Sequence, residues 1–410
     1  MNAKKTLAIL VGGGPAPGIN AVIAAATIEA RNHGVRVIGC YDGFRWLMDG
    51  DPHHVTELEI ADVTRVHFDG GSILRTSRAN PATSRDGLAR VAEVLRRLGV
   101  DGLIAIGGND TTASAARLAA AAPGLAIAHV PKTIDNDVPL PSDVPTAGFT
   151  TAGNIGKDIV RNLISDAATT DRWFFVTVMG RQTGHLALAI GSAAAATLTV
   201  IGEEFGDRHL TVDALADLLE GAIIKRHAQG REHGVAILAE ALAAKLDGAV
   251  PGLERDPHGN LRLADLELGR LLKDRVTRSL QARGMRVLIS VKDLGYELRC
   301  APPGGHDLQY SRSLGYWAAR YLLDGGSGAL ISLQSGRLTP IPFDSLLDED
   351  TGRARVRYVD VASEMYQTML AYMIRLKPAD FEPDNVGVLA ESARLSEADF
   401  VARFRPLVAP

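Results

Sequence analysis

Cysteine is nearly absent: two in 410 residues, Cys40 and Cys300, far apart and in no CxxC pair. The pair supports neither a disulfide framework nor a cysteine zinc site, and the count suits a reducing cytoplasm. Aromatic residues make up only 5%, whereas glycine reaches 42. The core must therefore be Ala, Val, Leu and Ile around tight turns. An excess of either charge is also missing. With 44 basic against 48 acidic side chains the formal charge is −4, which excludes a nucleic-acid binder driven by bulk charge and leaves a local anion site open. A hydrophobic fraction of 46% and a charged fraction of 22% exclude bulk disorder. The length exceeds one ordinary domain and falls short of four.

Long apolar runs are scarce too. After Lys4 and Lys5, the stretch Thr6–Val11 is too short for a secretion signal, and Gly12-Gly13-Gly14 follows it instead of a cleavage site. The stretch Gln182–Gly202 carries no Asp, Glu, Lys or Arg but is broken by Gly184, Gly191 and Ser192. It reads as a buried helix, a turn and a strand, so no membrane segment is expected. No internal repeat is visible.

What is present is an alternation of strand-length apolar runs with helix-like segments. The runs are Leu7–Val11, Val35–Gly39, Leu103–Ile106, Leu125–Val130, Trp173–Val178, Leu198–Ile201, Val235–Leu238, Val287–Ile289 and Ala329–Leu333. Most are continuous, as in strands covered on both faces. Helices are expected over Ala16–His33, Ser84–Leu98, Thr111–Ala122, Thr151–Thr169, Val212–Ala228, Leu263–Arg283, Arg312–Leu323 and Val361–Ile374. This pattern predicts an α/β protein with two doubly wound lobes and a cleft between them. Pro131–Pro145 and Leu298–His306 read as crossings between lobes, Asp247–Asn260 as a loop excursion, and 376–410 as an appended helix or strap.

Three strand ends carry polar groups. Gly12 to Asn20 forms a strand, glycine turn and helix start. It fails the dinucleotide fingerprint at Pro15 and Pro17, and the P-loop pattern at Ile19, where lysine is required. Backbone N–H groups at such a turn still favour an anion, although a ligand-free βα turn has the same sequence. Gly107-Gly108-Asn109-Asp110 follows the Leu103–Ile106 run, and Pro131-Lys132-Thr133-Ile134-Asp135-Asn136-Asp137 follows Leu125–Val130. In an open parallel sheet these ends share one carboxyl edge, where ligands bind. Lys132 can meet a phosphoryl oxygen, Asp135 can take a proton from an attacking hydroxyl, and Asp110 and Asp137 can hold Mg²⁺. Those are the parts phosphoryl transfer needs; an Asx-rich turn with a solvated lysine is the plainer alternative. Arg172, Arg181 and Arg299 near strand ends suit a phosphorylated substrate as an ensemble, and Glu240 suits sugar hydroxyls.

Taken together, the motifs resemble the phosphofructokinase family, in particular its pyrophosphate-dependent branch. The matching segments are Gly13–Asn20, Gly70-Gly71-Ser72-Ile73-Leu74-Arg75-Thr76-Ser77-Arg78, Gly107–Asp110, Pro131–Asp137, Met179-Gly180-Arg181-Gln182-Thr183-Gly184-His185, Glu240 and Tyr296-Glu297-Leu298-Arg299. The resemblance implies transfer of a phosphoryl group to the 1-hydroxyl of fructose 6-phosphate with Mg²⁺, at a site in the cleft between the lobes. It assigns the proton acceptor to Asp135 and a substrate contact to Thr133. Sugar-phosphate contacts fall to Met179, Gly180, Arg181, Glu240, Tyr296 and Arg299. Arg172 falls on an arginine that serves the neighbouring subunit's substrate, which implies a homo-oligomer, dimer or tetramer. The donor phosphates fall to Gly13, Gly14, Arg78 and Gly108. Residues 1–145 with about 300–350 would form the donor-binding lobe, and about 146–299 with about 351–375 the sugar-phosphate lobe.

Two positions select the donor in this resemblance. ATP-using relatives commonly have glycine where this chain has Asp110 and Lys132. A carboxylate at Asp110 would repel the α-phosphate of ATP, and Lys132 would stabilise a leaving phosphate. Pyrophosphate is therefore the expected donor and ATP the alternative. One departure is Asn109, which stands where the branch often has a metal-binding Asp; the metal set implied is Asn109, Asp110 and Asp137. Nucleotide-regulated relatives carry arginines where this chain has Ala24 and Ile28, so no allosteric control is expected there. A catalytically silent sugar-phosphate-binding subunit is the remaining alternative, which the presence of Asp135, Lys132 and Arg181 disfavours.

Overall fold

A computed structural model describes residues 5–208, 210–246 and 266–408. The Asp247–Asn260 stretch lies outside the described residues, as do the first positions of the helix expected from Leu263. Thirteen strands appear among the described residues. In chain order, β1 is Thr6–Val11, β2 Arg36–Cys40, β3 Val55–Glu57, β4 Gly102–Gly107 and β5 Ala126–Pro131. Next come β6 Arg172–Val178, β7 Leu198–Val200, β8 Gly234–Ala239 and β9 Leu288–Leu294. The series closes with β10 Ala329–Leu330, β11 Leu333–Gln334, β12 Arg337–Leu338 and β13 Ile341–Pro342.

The chain divides into two compact units. One runs to Ala152 and resumes over Tyr296–Arg357; the other is Gly153–Gly295 with the segment from Tyr358 onwards. In the first unit, seven strands run in the order β13-β10-β5-β4-β1-β2-β3. The inner pairs are parallel, and β3 and β13 close the two edges antiparallel. The continuous apolar runs follow from cover on both faces. Leu7, Ile9 and Val11 pack with Val22, Ala26, Leu314 and Ala318 on one side. Ala8 and Leu10 pack with Val91, Leu95 and Leu118 on the other. The helices Ile19–Asn32 and Gly305–Leu323 lie so close that a side chain at Gly315 would meet the Val22 carbonyl at 2.3 Å.

The second unit holds a four-stranded parallel sheet, β7-β8-β6-β9. The inner strands β6 and β8 are almost wholly buried, whereas β9 alternates between exposed and buried along its length. That explains a shortfall of the sequence reading, which stopped this strand at Ile289. An edge strand is incompletely covered, so Lys292 and Asp293, on opposite faces, belong to it without breaking it. The uncharged Gln182–Gly202 stretch is the helix His185–Ala194, a left-handed turn at Ala195 and β7. Among the described residues no helix is long and apolar enough to cross a membrane.

The last segment, from Leu376, packs into this unit. Helices Pro383–Ala393 and Glu397–Phe404 bury Leu389, Phe400 and Phe404 against Ile224 of the helix Val212–Ala228. Arg403 and Arg283 both pair with the fully buried Glu220, which ties the segment to that helix and to Leu268–Ala282. Two further expectations are revised. The helix placed at Arg312–Leu323 begins at Gly305, because Gly304 serves as its cap instead of continuing the loop. The run Ala329–Leu333 splits into β10 and β11.

Candidate active site

Three strand ends of the first unit meet at one carboxyl edge. Register places Val11 beside Ile106 and Gly107 beside Pro131, so the turns after β1, β4 and β5 are neighbours. Backbone bonds stitch them together: Gly12 N–H donates to Ile106 O at 2.8 Å and Lys132 N–H to Gly107 O at 2.9 Å. Thr111, buried in the first turn of the helix Asn109–Ala121, fills the space above both turns. A Cβ at Gly12 or Gly107 would lie 2.3 or 2.2 Å from its Oγ1, so close approach, not backbone conformation, demands glycine there. Asn20 holds the next loop. Its Nδ2 donates to the Asp69 and Gly70 carbonyls, and its Oδ1 accepts from Ile73 N–H at 2.9 Å.

Lys132 is 2% exposed. Its Nζ donates to Gly12 O at 3.0 Å and Gly14 O at 2.5 Å. Arg299 stands beside the same loop, its guanidinium carbon 3.4 Å from where a Gly14 Cβ would be, and it crosses the Tyr296 ring at 5.1 Å. Burial first, and then Arg299, push the Lys132 ammonium down to about 7, against the pull of Asp135 and Asp137. Two cations crowded at a glycine turn are relieved by an anion between them. Tyr296 and Arg299, expected with the sugar-phosphate lobe, lie in the first unit, with Arg299 beside Gly14.

The turn after β5 carries the candidate base. Asp135 N–H donates to Thr133 Oγ1 at 3.1 Å, and Thr146 Oγ1 donates to Thr133 O at 2.7 Å. Asn136 sits in the left-handed region at φ 57°, where a short polar side chain can bond locally. Arg357 locks that geometry from 221 residues away. Its guanidinium reaches Asn136 O at 3.0 Å, Asn136 Oδ1, Pro141 O at 2.7 Å and Val144 O at 2.8 Å. Nothing in the local sequence announced Arg357; a lone arginine after a strand-poor stretch carries no signal.

Asn109, Asp110 and Asp137 converge around a candidate metal position. Asn109 Nδ2 donates to Asp137 Oδ2 at 2.9 Å and to Asp137 O, while its Oδ1 is buried with no hydrogen-bond partner. Burial, then Asp135, raises the Asp137 carboxyl well above the usual range, with Asp110 adding to the shift. An orphaned carbonyl oxygen beside a carboxylate short of positive charge fits a hard divalent cation. Among the described residues no three His, Cys, Asp or Glu groups form a ready-made cage. Mg²⁺ does not require one, since it is commonly held by one or two carboxylates plus substrate phosphates. Below the same edge, Thr112 bridges Gly108 O and the buried His129, whose imidazole burial pushes down to about 3 and so keeps neutral.

The second unit gathers a different set at the carboxyl ends of β6, β7 and β8. Gly180 N–H donates to Glu240 Oε2 at 3.2 Å, which fixes one end of the turn Met179–Gly184. The other end is held by Glu203, a residue the sequence reading did not single out. Its Oε1 accepts from Gly184 N–H at 2.9 Å and from Val359 N–H at 3.2 Å, and burial raises its carboxyl. Met179 N–H donates to Leu294 O at 2.9 Å at the end of β9. Arg181 projects from this turn, half-buried. Arg172 does not join them. It opens β6 and is held by Thr170 Oγ1 at 2.7 Å and Asp166, about 20 Å from Met179 at strand rise. Arg78, exposed, follows the Gly12–Ser77 bridge in the first unit.

With this geometry in place, comparison with known proteins gives the class. The sequence profile of the family described as Phosphofructokinase matches residues 6–322. The chain belongs to the phosphofructokinase family. It is 49% identical over 386 residues to the pyrophosphate–fructose 6-phosphate 1-phosphotransferase of Thermotoga maritima, covering 92% of each chain. It is 46% identical to the enzyme of the same name from Naegleria fowleri, covering 98% of this chain and 96% of that one. The fold matches the crystal structure of a pyrophosphate-dependent phosphofructokinase from Marinobacter aquaeolei with a TM-score of 0.68 at 15% identity, over 99% of this chain and 92% of the other.

Proposed function

We propose that this chain transfers a phosphoryl group from pyrophosphate to the 1-hydroxyl of fructose 6-phosphate, giving fructose 1,6-bisphosphate and phosphate. The observation that carries the donor assignment is Lys132, a buried cation bonded to the glycine turn with Arg299 at its side. A leaving phosphate brings the negative charge that this lysine lacks. Asp110, in the first turn of the helix Asn109–Ala121, adds a carboxylate that a nucleotide's α-phosphate would have to face.

Catalysis then rests on the chain's own groups. Asp135, in a turn set by Thr133, Asn136 and Arg357, accepts the proton of the 1-hydroxyl as its oxygen attacks phosphorus. The bridging P–O bond breaks and the departing phosphate leaves against Lys132 and the turn at Gly13 and Gly14. Glu240, Met179, Gly180 and Arg181 of the second unit bind and orient the sugar phosphate. Mg²⁺ held by Asp110 and Asp137, with Asn109 Oδ1 available, would neutralise charge on the phosphoryl oxygens.

Three accompanying readings rest on the family resemblance and on residue placement. Arg172, remote from its own chain's Gly180 turn, supports a homo-oligomer in which it serves a neighbouring subunit. Ala24 and Ile28, packed in the apolar core around Val22, support the absence of anionic effector control at that helix. Two unpaired cysteines and glycolytic substrates support a cytoplasmic setting. The test is formation of fructose 1,6-bisphosphate from fructose 6-phosphate and Mg²⁺ with pyrophosphate and ATP offered separately. Pyrophosphate should give the higher kcat/KM; a higher value with ATP would overturn the donor assignment.

A further inference from the structure

The carboxyl end of β2 carries groups that the proposed reaction leaves unused. In a doubly wound sheet, phosphates bound at the turn after β1 place an attached nucleoside over the end of β2, where an acidic residue takes the ribose hydroxyls. Here that end is Tyr41-Asp42-Gly43, an aromatic ring followed by a carboxylate. Both are already occupied, and by the same side chain. The Arg75 guanidinium lies over the Tyr41 ring at 5.7 Å and 3.7 Å from Asp42 Oδ2. The same Asp42 oxygen accepts from Trp46 Nε1 at 2.8 Å. Trp46, the other ring nearby, is covered by His54, stacked at 3.8 Å, and by Arg45 at 4.6 Å.

The backbone holds Arg75 in this place. Segment 72–77 is sewn between the two turns: Asp42 N–H donates to Leu74 O at 3.0 Å, Ser77 Oγ to Asp42 O at 2.5 Å, and Gly13 N–H to Ser77 O at 2.8 Å. Thr76 Oγ1 donates to Gly13 O at 2.5 Å. Arg75 itself is left-handed at φ 54°, a conformation unfavourable for a side chain as long as arginine. Such outliers persist where their surroundings over-determine them and collect at ligand sites. The side chain is nonetheless 73% exposed, so it covers the ring and the acid without being part of the core.

We infer that Arg75 is a specificity-determining residue: it occupies the stacking face and the ribose acceptor that a nucleoside would need, and so restricts the donor to a bare di- or polyphosphate. This exclusion is separate from that of Asp110, which acts one phosphate further in. The inference rests on the pyrophosphate reading above.

The test compares ADP with pyrophosphate, since the two differ by a nucleoside, on wild type, Arg75→Gly, Asp110→Gly and the double variant. Glycine accepts a positive φ, so Arg75→Gly keeps the loop's backbone. Equilibrium binding of each ligand should show Arg75→Gly raising affinity for ADP relative to pyrophosphate by at least about fivefold in both Asp110 backgrounds, from freeing the ring. An unchanged ratio would overturn the inference. So would an equal loss of affinity for both ligands, which would make Arg75 a phosphate ligand instead. Arg75→Lys, which keeps the charge but not the planar fork, should give an intermediate ratio. Failure of the donor reading is seen elsewhere, as preference of the wild-type enzyme for ATP in turnover.

Discussion

The carboxyl edges of the two sheets carry similar chemical parts and treat water in opposite ways. In the first unit the cation is dry: Lys132 is 2% exposed and its ammonium is pushed down to about 7. In the second unit Arg181, proposed to face the sugar phosphate, is only half-buried, as are the carboxylates Glu240 and Glu203 that hold the backbone of its turn. A desolvated charge acts strongly on charge that develops in a transition state, because low dielectric magnifies it. A wet guanidinium on a fixed turn recognises a phosphate that does not change during the reaction. The first edge should therefore govern kcat, and the second should govern KM for the sugar phosphate.

The largest effect should come from breaking the first edge. Asp135→Asn removes the proposed proton acceptor and should lower kcat by roughly 10³-fold, in the range of general-base deletions, with KM for fructose 6-phosphate within a few-fold of wild type in steady-state assays. Arg357→Lys comes next. Lysine cannot span Asn136, Pro141 and Val144 with one planar fork, so the turn should relax and kcat should fall roughly 10²-fold, the cost of a small misplacement. A loss confined to KM would show that Arg357 serves substrate binding instead.

Breaking the second edge should read out differently. Glu203→Ala releases Gly184 and Val359 N–H together; KM for fructose 6-phosphate should rise by about tenfold, one lost pair of hydrogen bonds to a carboxylate, while kcat changes little. If kcat fell as far as in Arg357→Lys, the contrast between the edges would be wrong. The smallest effect concerns Asn109, whose amide bonds the Asp137 carboxylate. Asn109→Asp would set two carboxylates face to face without a metal and complete a metal set with one. Thermal unfolding should show a Mg²⁺-induced rise in Tm larger than that of wild type by roughly 2–4 °C, equivalent to about 1 kcal/mol. Equal shifts would mean that Asn109 is not at the metal position.

The sequence made the first edge readable because its groups sit within a few residues of strand ends: Gly12 to Gly14, Gly107 to Asp110, and Lys132 to Asp137 are all local signals. It hid the supports. Arg357 and Glu203 act on turns far away in the chain, and neither sits in a pattern that announces a bond to a distant carbonyl or N–H. The fully buried Asp307 is another case: it accepts from Gly148 and Thr151 N–H at the start of the helix Phe149–Thr170, yet reads locally as an ordinary helix acid. The same limit appears in the fold. Inner strands with cover on both faces are legible as apolar runs, whereas the reading of β9 stops at Ile289 because this partly exposed strand carries Lys292 and Asp293. Strands of two or three residues such as β3 and β13 are too brief to carry a period.

The dry cation is the centre of this account, and the pH dependence of kcat/KM for pyrophosphate reads it directly. Free-enzyme Lys132 loses its proton above about pH 7, and only the charged form attracts the donor. With fructose 6-phosphate and Mg²⁺ saturating, kcat/KM should carry a basic limb that falls tenfold per pH unit above that point. Arginine remains charged throughout, so in Lys132→Arg this limb should vanish, leaving only what pyrophosphate's own ionisation contributes; even a much reduced activity suffices, because the shape is what is read. The same basic limb in both proteins would contradict the account.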